Sequence, residues 1–155
     1  MPMSQSTLQT ELENLALDLD VNVSAVNWAD ALEAYASDAQ ALTPLLAPGV
    51  ALGRAALIAY LNANDISVPG AAAAGLVGAF QAFWTGVAGG LATSFAGAIA
   101  ITPPPYAVNL QPAFDTATST PQTKAQASAS LAAVLHAGLV GGTVTTPPAV
   151  VTPIT

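Results

Sequence analysis

The chain is 155 residues long, 53% hydrophobic and only 7% charged, with a formal net charge of −7. That length suits one domain with a real core, and that hydrophobicity excludes global disorder. Two basic residues, Arg54 and Lys124, argue against binding nucleic acid or an anionic membrane surface, and the absence of cysteine removes disulfides, thiolate zinc sites and cysteine catalysis.

The charged fraction is far below the roughly 25% of an ordinary domain. Its placement is uneven: seven of the nine acids lie in the first 38 residues, and beyond Ile66 only Asp115 and Lys124 are charged. The first quarter is therefore the expected water-facing part, and the remainder the part that packs on itself or on other protein. The opening MPMSQSTLQTELEN has neither the basic nor the apolar region of a signal peptide, so cytoplasmic synthesis is expected.

In chain order, Ser6 with Gln9 three residues on fits a capping box, and Leu8, Leu12, Leu15 and Leu19 form one apolar stripe of a first helix. Ser24 or Asn27 is positioned to cap a second helix from Trp28 to about Leu42, ended by Thr43-Pro44. Pro48-Gly49 reads as punctuation before a third helix, Val50 to Asn62, packing through Leu52, Ala56, Ala59 and Tyr60 with Arg54 outward. Residues 70–101 carry no charge at all. Their large side chains, Leu76, Phe80, Phe83, Val87, Leu91, Phe95 and Ile99, recur in steps of three and four with Trp84 alongside, opposite a face of Ala, Gly, Ser and Thr. A helix apolar all round has to be covered, by its own domain, by partner subunits or by lipid. Three prolines at 103–105 end it, and the run from Tyr106 to Thr120 shows no helical period. Thr120-Pro121 signals a last helix to about Ala137, burying Ala125, Ala129, Ala132, Leu135 and Leu139. The tail TVTTPPAVVTPIT is β-branched and proline-rich and suits an extended arm. The expectation is all-α: about five helices around the central apolar one (70–101), with extended segments at 102–119 and 143–155. A helical domain then covers 1–142 and a C-terminal arm 143–155.

Motifs for chemistry are sparse. His136, the only histidine, lies near the end of an apolar helix, where the dipole and the last carbonyls suit it, and a Ser–His–Asp arrangement would need Asp115 across a loop. Asp18-Leu-Asp20-Val-Asn22 alternates like the start of an EF-hand loop but lacks the glycine at six and the Glu at twelve. Pro103-Pro104-Pro105-Tyr106 has the form of a PPxY ligand but also that of a rigid helix-breaking connector. Gly86-x-x-x-Gly90 fits the close approach of two helices, as in transmembrane dimers, although no Lys or Arg flanks 70–101 to orient a span. No catalytic, cofactor-binding or metal-ligating residue is assigned.

The aromatic-Gly-Ala helix with Phe83-Trp84, the Thr102-Pro-Pro-Pro break, the alanine helix ending in Leu135-His136 and the Val/Thr/Pro tail resemble small structural proteins of tailed bacteriophages and related contractile particles. The resemblance implies a place in a capsid, tail or baseplate of a virion, assembled from copies of the chain and other structural proteins. It brings no catalytic residue. Low charge and extended arms point the same way, with Phe80, Phe83, Trp84, Val87, Leu91, Phe95, Val144, Val150, Val151 and Ile154 as the expected interface. The alternative is a membrane-active protein, holin-like or pore-forming, that inserts 70–101 into a bilayer.

Overall fold

The uncharged stretch forms a helix over Ala72–Phe95 and then turns into a strand at Ala100–Thr102, ahead of the prolines that begin at residue 103. Ile101 and Thr102 are β-branched, and a residue before proline avoids the helical region, so the helix stops short of Ile101. In this computed structural model the described residues are 3–15, 21–40, 44–64, 66, 71–95, 100–102, 110–140, 142–148 and 150–154. In order they form α1 (Gln5–Asn14), α2 (Val21–Gln40), a 3-10 turn (Pro44–Leu46), α3 (Ala47–Ala63), α4 (Ala72–Phe95), β1 (Ala100–Thr102), α5 (Gln111–Ser119), α6 (Lys124–Ala137), β2 (Thr143–Thr146) and β3 (Val150–Pro153). The protein is thus mostly helical, as its periodicity implies, with six α-helices and a small sheet among the described residues.

The core is built on α4. Leu76, Phe80, Phe83, Trp84, Val87 and Leu91 are all buried inside the chain. Trp84 meets Phe83 and Phe80 edge-on, with ring centroids 5.2 Å and 6.2 Å apart, the geometry that ring quadrupoles favour. The small face is occupied too. Its glycines meet those of α3: a Cβ on Gly86 would lie 2.7 Å from the Leu52 carbonyl oxygen and 2.8 Å from Gly53 Cα. One on Gly90 would lie 2.7 Å from Gly49 Cα, and one on Gly53 2.7 Å from the Phe83 carbonyl oxygen. Gly49 and Gly53 of α3 therefore face Gly86 and Gly90 of α4, and the two backbones approach as closely as only glycine permits. This is the most extensive helix pairing among the described residues. The Gly86-x-x-x-Gly90 spacing is satisfied within one chain.

That approach also sets the rotation of α3. Its buried residues are Gly49, Val50, Gly53, Leu57 and Leu61, whereas Leu52 is 49% exposed and Ala59 is exposed. The expected face of Leu52, Ala56, Ala59 and Tyr60 is replaced because glycine contact, rather than side-chain bulk, decides which side meets α4. Pro48, read as a break, sits in the first turn of α3, where its missing N–H has no intrahelical partner to lose.

Helix starts shift for similar local reasons. Ser4 rather than Ser6 caps α1, its side chain accepting from the Thr7 N–H. The cap of α6 is Thr123, three residues after the expected start, in a reciprocal capping box with Gln126. α2 begins at Val21, earlier than Trp28. Within 102–119, expected to be extended, Gln111–Ser119 is helical, with Pro112 in its first turn and Leu110 buried just ahead of it.

The C-terminal arm is a hairpin. β2 pairs antiparallel with both β1 and β3, giving the order β1-β2-β3, with Val144 opposite Ile101 and Thr152. Val144 and Ile154 are buried in the same core as the helices, and the Ile154 N–H donates to the Gly142 carbonyl at 2.8 Å. Backbone pairing and the buried side chains of Val144 and Ile154 fix β2 and β3 to the body.

Candidate functional site

The ten expected interface residues separate into three groups. Phe80, Phe83, Trp84, Val87 and Leu91 on α4, with Val144 and Ile154 at the hairpin, are buried by the chain itself, so their apolar surface is satisfied without a partner. Phe95 at the end of α4 is half-buried against the core. Val150 and Val151 are 52% and 59% exposed. They lie on β3, an outer strand of the three-stranded sheet that the described residues form, paired with β2. A strand in that place carries two exposed apolar β-branched side chains, with no charged residue in 143–155, and it ends in Pro153, which has no N–H to offer another strand. The pleat places Val151 on the face of Thr145 and Val150 on the face of Thr146, so both sides of the edge carry a valine.

The titratable groups converge elsewhere. The Tyr35 hydroxyl, on α2 and fully buried, lies 2.7 Å from His136 Nδ1 on α6, and the two rings meet edge-on at 6.0 Å. With the imidazole proton on Nε2, the hydroxyl donates to Nδ1. Burial, and then the negative charge of Asp38 one turn along, push the Tyr35 hydroxyl far above its usual value of 10.0, so it stays protonated as a donor. Loss of hydration holds His136 below its usual 6.5. Asp38 Oδ2 is itself buried with no hydrogen-bond partner. Position alone in the sequence gave no sign of Tyr35 as the partner of His136, because the two lie 101 residues apart.

The candidate triad does not assemble around them. Asp115 is on α5, exposed and accepting from the Gln111 side chain at 2.7 Å. Ser128 lies two turns before His136 on α6. No group of three His, Asp or Glu side chains is placed to hold a metal ion among the described residues. Arg54 bridges Asp30 and Glu33 across α2 and α3, at 2.6 Å and 3.1 Å. Asp18, Asp20 and the Pro103–Tyr106 motif lie outside the described residues.

Comparison with protein-family models, curated proteins and solved structures finds no match to this chain. The reading of function therefore rests on the residues themselves. Two features bear on association once the core is closed: a surface with few charged groups and the valine-bearing edge of β3.

Proposed function

We propose that the chain is a non-enzymatic subunit of a symmetric protein assembly, a component of a phage tail, baseplate or capsid as its sequence resemblance implies. The observation that carries this reading is the edge of β3. Soluble proteins ordinarily guard an outer strand with lysine, proline or a covering element; here Pro153 guards the end of β3, while Val150 and Val151 stay exposed with no charged residue in 143–155. Packing of that edge against a second copy or another structural protein would bury both valines. The low overall charge supports the same reading, because a surface with few ionised groups loses little hydration on association.

Insertion of 70–101 into a bilayer is the competing function. Ala72–Phe95 is long and apolar enough to cross a membrane. Its bulky face, however, is packed on the other helices, and its glycine face on α3. Insertion would have to give up both, which favours the assembly reading.

Expression of the full chain without detergent, followed by gradient flotation and light scattering over a range of concentrations, separates the two functions. Assembly predicts a non-floating species whose mass rises with concentration in multiples of 15.3 kDa. Flotation with membranes that survives high salt and carbonate would overturn it.

A further inference from the structure

A groove of about 370 Å³ runs between α1, α2 and α6, within the roughly 300–1,000 Å³ of small-molecule sites. Leu12 and Leu15 form one wall, Trp28 of α2 the second and Leu131 of α6 the third. Lys124, the first residue of α6, also lines it, and its Nζ donates to the Leu15 carbonyl at 2.8 Å. That bond ties the ammonium to the groove and leaves two of its N–H groups for a ligand.

The charge pattern makes this lysine informative. The chain has nine acids and two bases. Among the described residues, Arg54 is taken up by Asp30 and Glu33, whereas Lys124 bonds a backbone carbonyl and no carboxylate. A cation at the start of a helix also opposes the helix dipole, so an anion at that point is stabilised by both. An apolar trough with one tethered cation matches a ligand with an apolar body and one negative head.

We propose that the groove binds a single medium-chain carboxylate, its tail along Leu12, Trp28 and Leu131 and its head group on Lys124 Nζ. A methylene is close in volume to a water molecule's share of the liquid, about 30 Å³, so the groove admits roughly a dozen carbons. This site is independent of the assembly surface on β3.

The test uses the full-length protein at about 0.15 M salt, where the Debye length of about 8 Å screens the repulsion between the acidic chain and an anion. Sodium dodecanoate, below its micelle concentration, is titrated calorimetrically and by tryptophan fluorescence. Trp28 lines the groove and Trp84 is buried in the core, so Trp28→Phe should remove the fluorescence response. The expected result is saturable binding of one dodecanoate per chain. Lys124→Gln, an exposed position, should weaken it by about tenfold or more, as expected for loss of a charge-assisted hydrogen bond, and leave dodecanol affinity unchanged. Leu131→Trp should fill the groove and abolish both, with far-UV circular dichroism confirming the fold. If that variant fails to fold, the Lys124→Gln comparison of dodecanoate with dodecanol decides alone. Absence of saturable binding, uptake of many dodecanoates per chain, or dodecanoate affinity indifferent to Lys124→Gln would overturn the proposal.

Discussion

Phe83 and Trp84 are neighbours in sequence and in the core, yet they should respond differently to truncation. Phe83 has no polar atom and is fully buried, so Phe83→Ala should cost about 3–5 kcal/mol through lost transfer energy and the cavity left behind. Trp84 is equally buried, but its Nε1–H has no hydrogen-bond partner. Trp84→Phe removes that orphan donor, whose desolvation costs about 1–3 kcal/mol, and so offsets part of the volume it loses. Urea unfolding should find Trp84→Phe far milder than Phe83→Ala; equal losses would mean that the indole is hydrogen-bonded in solution. The Tyr35–His136 pair makes a second prediction. Folding lowers the His136 pKa from 6.5, so between the lowered value and 6.5 the unfolded chain holds a proton that the folded chain does not. Stability is therefore complete above 6.5 and falls as pH falls through that window. His136→Gln should flatten this dependence between pH 7 and 5, and Tyr35→Phe should cost about 0.5–1.5 kcal/mol at pH 7. A histidine variant with an unchanged pH slope would show that another group sets it.

At the scale of elements, the pairing of α3 with α4 is the feature most open to test. A methyl at Gly90 would press on Gly49 Cα at 2.7 Å, whereas one at Gly89 meets nothing within 4 Å. Gly90→Ala should destabilise by about 1–3 kcal/mol through overpacking. Gly89→Ala should stabilise by up to about 1 kcal/mol, because alanine is the better helix former. Adjacent glycines with opposite signs would place the helix crossing where the structure has it; equal effects would move it. The same pair shows what the sequence could reveal. The bulky stripe of α4 was legible because Leu76, Phe80, Phe83, Val87 and Leu91 repeat at helical spacing. The face of α3 was not, because Gly49 and Gly53 leave no hydrophobic mark and only their approach to Gly86 and Gly90 selects them. α5 was hidden because Pro112, a helix breaker elsewhere, costs nothing in a first turn. The tail was legible as extended, but Val144 is held at the core by pairing with Ile101, a partner more than 40 residues earlier that no local pattern identifies, and Ile154 by its bond back to Gly142. Removing 143–155 would therefore strip the core as well as the edge, and point changes on β3 are the cleaner probe.

At the scale of the whole molecule, seven net negative charges repel one another when copies meet. Association through the β3 edge should therefore strengthen as salt rises from a few millimolar to about 0.15 M, where the Debye length falls to about 8 Å. A contact that weakened with salt would point to ion pairs instead, which an edge without charge cannot supply. The candidate surface itself was only partly readable from sequence. The tail valines could be marked as exposed or paired, but which of the ten candidates the core would consume depended on how the helices close. Val150 and Val151 remain outside because β3 is an outer strand of the sheet. Light scattering on the wild type beside a Val150→Asp/Val151→Asp variant, with circular dichroism to verify the fold, addresses this most directly. The account predicts a wild type that associates with concentration and a variant that stays a folded monomer of 15.3 kDa. A wild type that remains monomeric throughout, or a folded variant that assembles equally well, would contradict it.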